Sequence, residues 1–138
     1  MKVDRSLTAN RFRRQERRSN SVGKRRIGFV GLGLMGQGMA RNLLSGGFPF
    51  IGFDIDQTKT DAIMKAGGKG IDAPSRLAAQ VDVIILSLPD SHVVDDVVKN
   101  SLKLLETGRR GLILIDTTTA DPIMSESLAT QLREKGME

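Results

Sequence analysis

Three glycines, Gly31, Gly33 and Gly36, follow a short apolar segment and precede a stretch that favours a helix. This G-x-G-x-x-G spacing is typical of the turn that binds the pyrophosphate of a dinucleotide. The first glycine allows a tight turn, the second lets a phosphate approach the backbone, and the third lets the helix pack closely on the strand. Free N–H groups at the helix N-terminus favour the anion. The spacing therefore predicts a dinucleotide ligand as well as a fold.

An acidic residue after the next predicted strand suits the same ligand. Asp54 lies 18 residues after Gly36, where a carboxylate can accept hydrogen bonds from the adenosine ribose hydroxyls. A carboxylate there repels a 2′-phosphate, so the sequence favours NAD over NADP. The alternative is a solvated loop acid or a helix cap, although Asp56 is better placed to cap the following helix.

The elements that must position these residues alternate along the chain after residue 26. Strands are predicted at about 26–31, 49–54, 69–71, 82–88 and 112–116, and helices at about 35–46, 57–66, 74–80, 91–106 and 122–135. The segments 83–86 and 112–115 are continuously apolar, as in parallel strands that are covered on both faces. This alternation predicts an α/β fold with a doubly wound parallel sheet of Rossmann type, and residues 26–138 as one dinucleotide-binding domain.

The last predicted helix, at about 122–135, begins at Asp121-Pro122, a typical helix start. A doubly wound dinucleotide domain normally has a sixth strand after such a helix. Without it, the strand at 112–116 would be an exposed apolar sheet edge, which can pair with another chain. We therefore expect either a domain truncated after about five strands or another segment that covers this edge.

The composition excludes several classes of function. Without Cys, the chain has no disulfide, thiolate zinc site or cysteine nucleophile. Without Trp and Tyr, it lacks the usual stacking platforms for single-stranded nucleic acid. No apolar run approaches the roughly 18 residues that a membrane span needs. The length is sufficient for one domain with a hydrophobic core.

The net charge of +5 is unevenly distributed. Residues 1–26 contain ten Lys and Arg and two acidic residues, whereas the rest of the chain contains 11 basic and 14 acidic residues. Residues 1–25 have few apolar side chains, which predicts a disordered basic tail. Three roles for this tail stay open: a mitochondrial presequence, an arm that binds nucleic acid through its phosphates, and a solvated extension. A cytoplasmic and a mitochondrial location therefore both stay open.

Three segments in order resemble the β-hydroxyacid dehydrogenases, which include 3-hydroxyisobutyrate, tartronate semialdehyde and threonate dehydrogenases and are related to 6-phosphogluconate dehydrogenase. The segments are the glycine motif 28–36 with its continuation 39–43, the pair Leu88-Pro89, and 116–122. The last segment, DTTTADP, is similar to the Asp-x-Ser-Thr-x-x-Pro of the family. The resemblance covers about 26–138. It implies hydride transfer between a nicotinamide cofactor and a small 2- or 3-hydroxy acid.

The resemblance also implies cofactor contacts for two pairs of residues. Leu34 and Met35 would contact the diphosphate through their backbone, although both also suit simple packing of an apolar first turn. Leu88 and Pro89 would lie over the crevice that holds the nicotinamide, and the alternative is a turn that merely ends a strand. Members of the family that resemble NADP-specific enzymes have an Asn-Arg pair after this strand. This chain has Asp54-Ile55 there, which again favours NAD.

Two threonines and the single histidine complete the candidates. Thr119 matches a family residue near the nicotinamide ribose, and Thr118 matches the serine beside it, near the substrate. Both also suit the role of a capping hydroxyl before the last helix. His92 is a tempting acid or base, but the family uses a lysine, so a solvated first-turn residue is expected. Val93 stands where the family often has a polar residue, so only apolar contact is expected there.

The catalytic Lys and Asn of the family belong to a later part of a polypeptide about twice as long, and they have no positions in this sequence. No catalytic residue and no metal ligand is therefore assigned. The expected function is that of an NAD-binding domain of a hydroxyacid dehydrogenase-like oxidoreductase that is inactive in isolation. The alternative is a non-enzymatic dinucleotide-binding or interaction module with a basic arm for nucleic acid.

Overall fold

The computed structural model describes residues 23–138, so the predicted basic tail up to residue 22 lies outside the described part. The elements are, in order, β1 (Ile27–Val30), α1 (Leu34–Ser45), β2 (Phe50–Phe53), α2 (Gln57–Lys65), β3 (Lys69–Gly70), β4 (Val83–Leu86), α3 (Ser91–Asp96), α4 (Leu104–Thr107), β5 (Ile113–Asp116) and α5 (Pro122–Glu134). Within residues 23–138, none of the helices has the length and apolar character of a membrane span.

The five strands form one parallel sheet in the order β3-β2-β1-β4-β5. In the central register, Phe29 of β1 lies opposite Gly52 of β2 and Ile85 of β4. Because all strands run in one direction, they begin at one edge of the sheet, called here the amino edge, and end at the other, the carboxyl edge. This order confirms the predicted doubly wound α/β sheet.

Helices cover both faces of the sheet, which explains why the central strands are continuously apolar. On one face, Phe29 and Phe50 pack with Ala40 of α1 and Ile63 of α2. The opposite face is covered by α3 and α5. The buried residues there include Ile84, Leu86, Val94, Val98, Leu128 and Leu132. Burial on two sides leaves the strand ends and their loops as the part of the sheet that a ligand can reach.

Aspartates begin three of the helices at the carboxyl edge. Asp56 accepts a hydrogen bond from the N–H of Thr58 (3.0 Å), and Asp90 accepts one from Val93 (3.0 Å). Asp121 caps α5 through the N–H groups of residues 123 and 124. Each carboxylate satisfies N–H groups that have no partner inside the helix. Helix α1 differs, because its first residue follows a glycine and no side chain caps it.

Two predicted helices are shorter than expected. The segment predicted as a helix at 74–80 forms only a 3₁₀ turn, Pro74–Arg76. The helix predicted at 91–106 changes to a π-helical turn at Val97–Ser101 and ends before Lys103, which has a left-handed backbone (φ 52°). Leu102 and Leu104 are both fully buried. Because residues two positions apart point about 200° away from each other on an α-helix, a continuous helix could not bury both.

The outer edge of β5 is less exposed than the apolar pattern predicts. Leu112 is fully buried. The N–H of Glu138 donates to the Leu112 carbonyl (3.0 Å), and the N–H of Leu114 donates to the Glu138 carbonyl (2.7 Å). This pattern places Glu138 opposite residue 113 as in a parallel ladder. The first half of β5 is therefore covered, as in the alternative that another segment lies on this edge, whereas Ile115 remains 44% exposed.

Candidate functional site

The turn between β1 and α1 requires glycine at two positions. Gly31 has a φ of +92°, a conformation that side chains disfavour. A Cβ on Gly31 would also collide with the carbonyl oxygen of Ser87, and a Cβ on Gly36 would collide with the carbonyl oxygen of Gly31. The first and third glycines of the motif thus serve the tight turn and the close packing of helix on strand.

Gly33 has neither of these structural reasons to be glycine. Its φ of −65° is ordinary for any residue, and a Cβ built there meets no heavy atom within 4 Å. It directly precedes the uncapped N-terminus of α1, where Leu34 is 92% and Met35 73% exposed. The first turn of α1 therefore offers N–H groups next to an open space without a side chain. This arrangement fits a diphosphate, which needs both.

Leu32 is held in place from three sides. Its N–H donates to Oδ2 of Asp54 (2.7 Å), and its carbonyl oxygen accepts from Nε2 of Gln37 (3.0 Å). Its side chain is fully buried between α1 and the sheet. The turn is therefore rigid at the residue between the first two glycines of the motif.

Asp54 lies at the end of β2 and faces this turn. Its Oδ1 accepts the N–H of Asp56 (2.8 Å), while Oδ2 accepts the N–H of Leu32. Ile55, between the two aspartates, is 97% exposed. The hydroxyl and N–H of Thr58 both donate to Asp56, and these bonds hold the pKa of the Asp56 carboxyl below its usual value. The end of β2 thus presents two carboxylates and an apolar side chain.

The loops after β4 and β5 are tied to each other beside the turn. The side chain of Leu88 lies 3.1 Å from the position of a Cβ on Gly31. The N–H of Leu88 donates to Oγ1 of Thr118 (3.1 Å), and Oγ1 of Thr117 donates to the carbonyl oxygen of Leu86 (2.7 Å). Thr118 therefore connects the two loops, a role that the sequence did not predict.

Other candidates lie at the same edge without such ties. Pro89 and Thr119 are exposed. Neither Thr118 nor Thr119 caps α5, because Asp121 does so, and the alternative capping role for both threonines is wrong. His92 is exposed in the first turn of α3, where a solvated residue is expected. Val93 is half-buried in the same turn.

The carboxyl edge thus brings the predicted residues into one line across four strand ends. Contacts run from Asp54 through the glycine turn to Leu88 and on to Thr118. Sequence reasoning missed Gln37. Nothing in the sequence marks Leu32 as the partner of Gln37, whose side chain donates to a carbonyl that precedes the helix. Within residues 23–138, no group of three or more potential metal ligands is found.

Comparison with known proteins agrees with this geometry. Residues 26–138 match the family described as the NAD binding domain of 6-phosphogluconate dehydrogenase. The mitochondrial 3-hydroxyisobutyrate dehydrogenase of Mus musculus is 34% identical over 110 residues, which are 80% of this chain and 33% of that protein. The 2-(hydroxymethyl)glutarate dehydrogenase of Eubacterium barkeri is 31% identical over 82% of this chain and 38% of its own.

A solved structure with a similar fold is that of Mycobacterium tuberculosis 3-hydroxyisobutyrate dehydrogenase with L-serine. It is 27% identical with a TM-score of 0.76, and the match covers 83% of this chain and 38% of that chain. The chain thus spans 33% to 38% of the length of these three relatives. The family match extends over nearly all described residues and includes every strand of the sheet. The chain therefore belongs to the family of the NAD-binding domain of 6-phosphogluconate dehydrogenase, as its resemblance to the β-hydroxyacid dehydrogenases predicts.

Proposed function

We propose that this chain binds NAD at the carboxyl edge of its sheet and serves an oxidoreductase that acts on a small 2- or 3-hydroxy acid. The observation that supports this proposal most strongly is Gly33. Neither backbone conformation nor packing requires a glycine there, and it stands beside the free N–H groups of α1. A diphosphate that approaches the backbone closely would require a glycine at this position.

The remaining contacts follow from where the ends of the dinucleotide must lie. With the diphosphate on the N–H groups of Leu34 and Met35, Asp54 is placed to accept hydrogen bonds from the adenosine ribose. The opposite end of the cofactor would extend over Leu88 and Pro89 toward Thr119. The bound nicotinamide ring supplies hydride transfer, and the residues of this chain bind and orient it.

The charges at the end of β2 favour NAD over NADP in this proposal. A 2′-phosphate would lie near the carboxylates of Asp54 and Asp56, and like charges at short range repel. Ile55 presents no positive charge to compensate, and its exposed side chain offers an apolar surface to the adenosine base.

The acid or base of the reaction is not among the residues proposed for this site. The loops 87–90 and 117–121, which follow β4 and β5, contain no lysine. Oxidation of a hydroxyl needs a group that removes its proton, and such catalysis contributes about 10²-fold to 10⁴-fold. We therefore expect the 138 residues by themselves to bind NAD with little turnover.

A titration with NADH, followed by nicotinamide fluorescence, tests the proposal. Gly33→Ala should weaken NADH binding about tenfold or more, because its methyl group separates a charged phosphate from its hydrogen-bond donors. Gly38→Ala is the matched control, since a Cβ on Gly38 also meets no atom within 4 Å but points away from the turn, in the interior of α1. Equal NADH affinities for Gly33→Ala, Gly38→Ala and the unmodified chain would overturn the proposal.

A further inference from the structure

Charge is separated between the two edges of the sheet. The loops that follow the five strands, 31–33, 54–56, 71–73, 87–90 and 117–121, contain five aspartates and no Lys or Arg. The residues before β1 and β5 have the opposite composition, with Lys and Arg at 24–26 and Arg at 109 and 110. Residues 23–138 contain fourteen basic and fourteen acidic residues, so this part is neutral as a whole while its charge is separated between the two edges.

Nine of those fourteen basic residues lie at the amino edge and form what we call the basic face. Residues 24–26 precede β1, Lys65 and Lys69 flank the turn from α2 to β3, residues 109 and 110 precede β5, and Arg133 and Lys135 end α5. All except Lys24 are exposed. The acidic residues of this edge are Asp82, Glu134 and Glu138, so the edge has a clear positive excess.

Part of this positive charge has a structural task. Asp82 forms ion pairs with Arg26 (2.8 Å) and Arg109 (2.7 Å). Lys24 donates to the Gly46 carbonyl at the end of α1, and its ammonium group lies 5.1 Å from the centre of the Phe48 ring. Lys65 and Arg133 stand in the last turns of α2 and α5, where a cation complements the helix dipole.

Three cations of the basic face have none of these tasks, whereas Lys135 caps the end of α5 like Arg133 in its last turn. Arg25, Lys69 and Arg110 are exposed, and they take part in none of the ion pairs found within residues 23–138. The fold therefore does not account for their charge. A field of one sign at a surface attracts a partner of the opposite sign.

The chain enters the domain at this same face. Residues 1–22 contain seven Lys and Arg and two acidic residues, and they are connected to the basic face through residues 23 and 24. The basic face is defined without them, by nine described residues at the edge opposite to the one where NAD is proposed to bind.

We propose that the basic face binds the phosphate backbone of duplex nucleic acid without regard to base sequence. Arginine and lysine neutralise phosphates and release counterions, which supplies most of such binding. A lipid surface fits less well, because stable attachment usually adds apolar insertion. Of the exposed large apolar residues in the described part, only Met64 lies toward this edge. This inference does not depend on the proposed NAD function.

The full chain can be tested with a fluorescein-labelled DNA duplex of about 20 base pairs, or two helical turns. Fluorescence anisotropy should show binding that weakens steeply between about 50 and about 200 mM NaCl. Arg25→Glu/Lys69→Glu should bind about tenfold more weakly. Arg41→Glu/Lys59→Glu changes the net charge equally but lies outside the basic face, and it should stay within about threefold.

Three results would overturn the inference. They are no salt-dependent binding, an equal loss in both double variants, and tighter binding to vesicles of phosphatidylcholine and phosphatidylserine than to DNA. A chain with the seven Lys and Arg of residues 1–22 changed to Gln tests the contribution of that segment, and it should keep the difference between the two double variants. NADH affinity should be unchanged in Arg25→Glu/Lys69→Glu, which separates this test from that of the NAD site.

Discussion

The N–H of Leu32 donates a hydrogen bond of 2.7 Å to Oδ2 of Asp54, and this bond joins the glycine turn to the end of the neighbouring strand. The two residues are 22 positions apart in sequence. An ionised carboxylate has about four acceptor positions, so Asp54 can hold the turn and still accept hydroxyl donors from a ribose. The residue proposed to distinguish NAD from NADP is therefore also a support of the diphosphate turn.

Variants of Asp54 should separate these two tasks. Asp54→Asn keeps one amide oxygen that can accept from Leu32 but loses the acceptor for the N–H of Asp56, so we expect its free energy of unfolding to fall by about 0.5–1 kcal/mol, with NADH binding weakened about tenfold. Asp54→Ala removes both tasks and should lose about 1–2 kcal/mol of stability in addition. Urea denaturation and NADH titration measure the two effects. Identical stabilities for both variants would show that the bond to Leu32 contributes nothing.

Cofactor preference should change with the charge at the end of β2. Asp54→Asn/Ile55→Arg replaces a carboxylate and an apolar residue by an amide and a guanidinium, which pairs well with phosphate. We expect the double variant to prefer NADPH to NADH, whereas the unmodified chain should prefer NADH. Parallel fluorescence titrations with both dinucleotides measure the ratio. Ile55→Gln is a control of similar polarity without charge, and it should not reverse the preference.

Acid should weaken the cluster at the amino edge. Asp82 accepts hydrogen bonds from the guanidinium and the N–H of Arg26 and from Arg109, and these bonds, those of Arg26 first, hold the pKa of the Asp82 carboxyl well below its usual value. Because the pKa is lowered by folding, the stabilisation is present above the unfolded pKa of about 4 and is lost as the pH falls below it.

Asp82→Asn should therefore cost about 1 kcal/mol at pH 7, a modest value because the pair is partly exposed to solvent. The difference from the unmodified chain should shrink as the pH falls below about 4. Urea denaturation across this pH range measures it. Glu126→Gln, an exposed site on α5, is the control and should change little at any pH. A difference that stays constant with pH would contradict the assigned role of the carboxylate.

The bond between the N–H of Leu88 and Oγ1 of Thr118 should matter for NADH binding through the position of the loop after β4. Thr118→Val keeps the shape but removes the acceptor, so it should lower stability by about 1 kcal/mol and weaken NADH binding. Thr118→Ser keeps the hydroxyl and should restore the affinity. If serine and valine weaken binding equally, the hydroxyl does not position the loop.

The predicted fold was right where local patterns are strong. The glycine turn, the helix starts at Asp56 and Asp121 and the apolar runs of β4 and β5 all appear as predicted, because backbone conformation and alternation of burial depend on neighbouring residues. The helix predicted at 91–106 was wrong at residues 102 and 103, where the helix is interrupted before α4 begins, since the burial of both Leu102 and Leu104 is imposed by surrounding elements.

The candidate site was predictable to the same extent. Spacing alone predicted Gly31, Gly33, Gly36 and Asp54 as neighbours of one ligand, and the contacts of Asp54 with the turn agree with that prediction. Thr118 was expected near a substrate, which stays a prediction, and the bond of its hydroxyl to the loop after β4 was not expected. A hydroxyl at a strand end has many candidate partners, and the sequence does not rank them.

By itself, the sequence determined the ligand class, the parallel α/β sheet and the glycines that the turn requires, because each follows from short-range geometry and from a repeated apolar pattern. Only the tertiary structure decided that Leu32 is clamped between Asp54 and Gln37, that Thr118 holds Leu88, and that segment 136–138 covers half of β5. These contacts join residues that are distant in the chain. They exist because strand order and register bring particular strand ends together, and that choice is made by the packing of the whole domain.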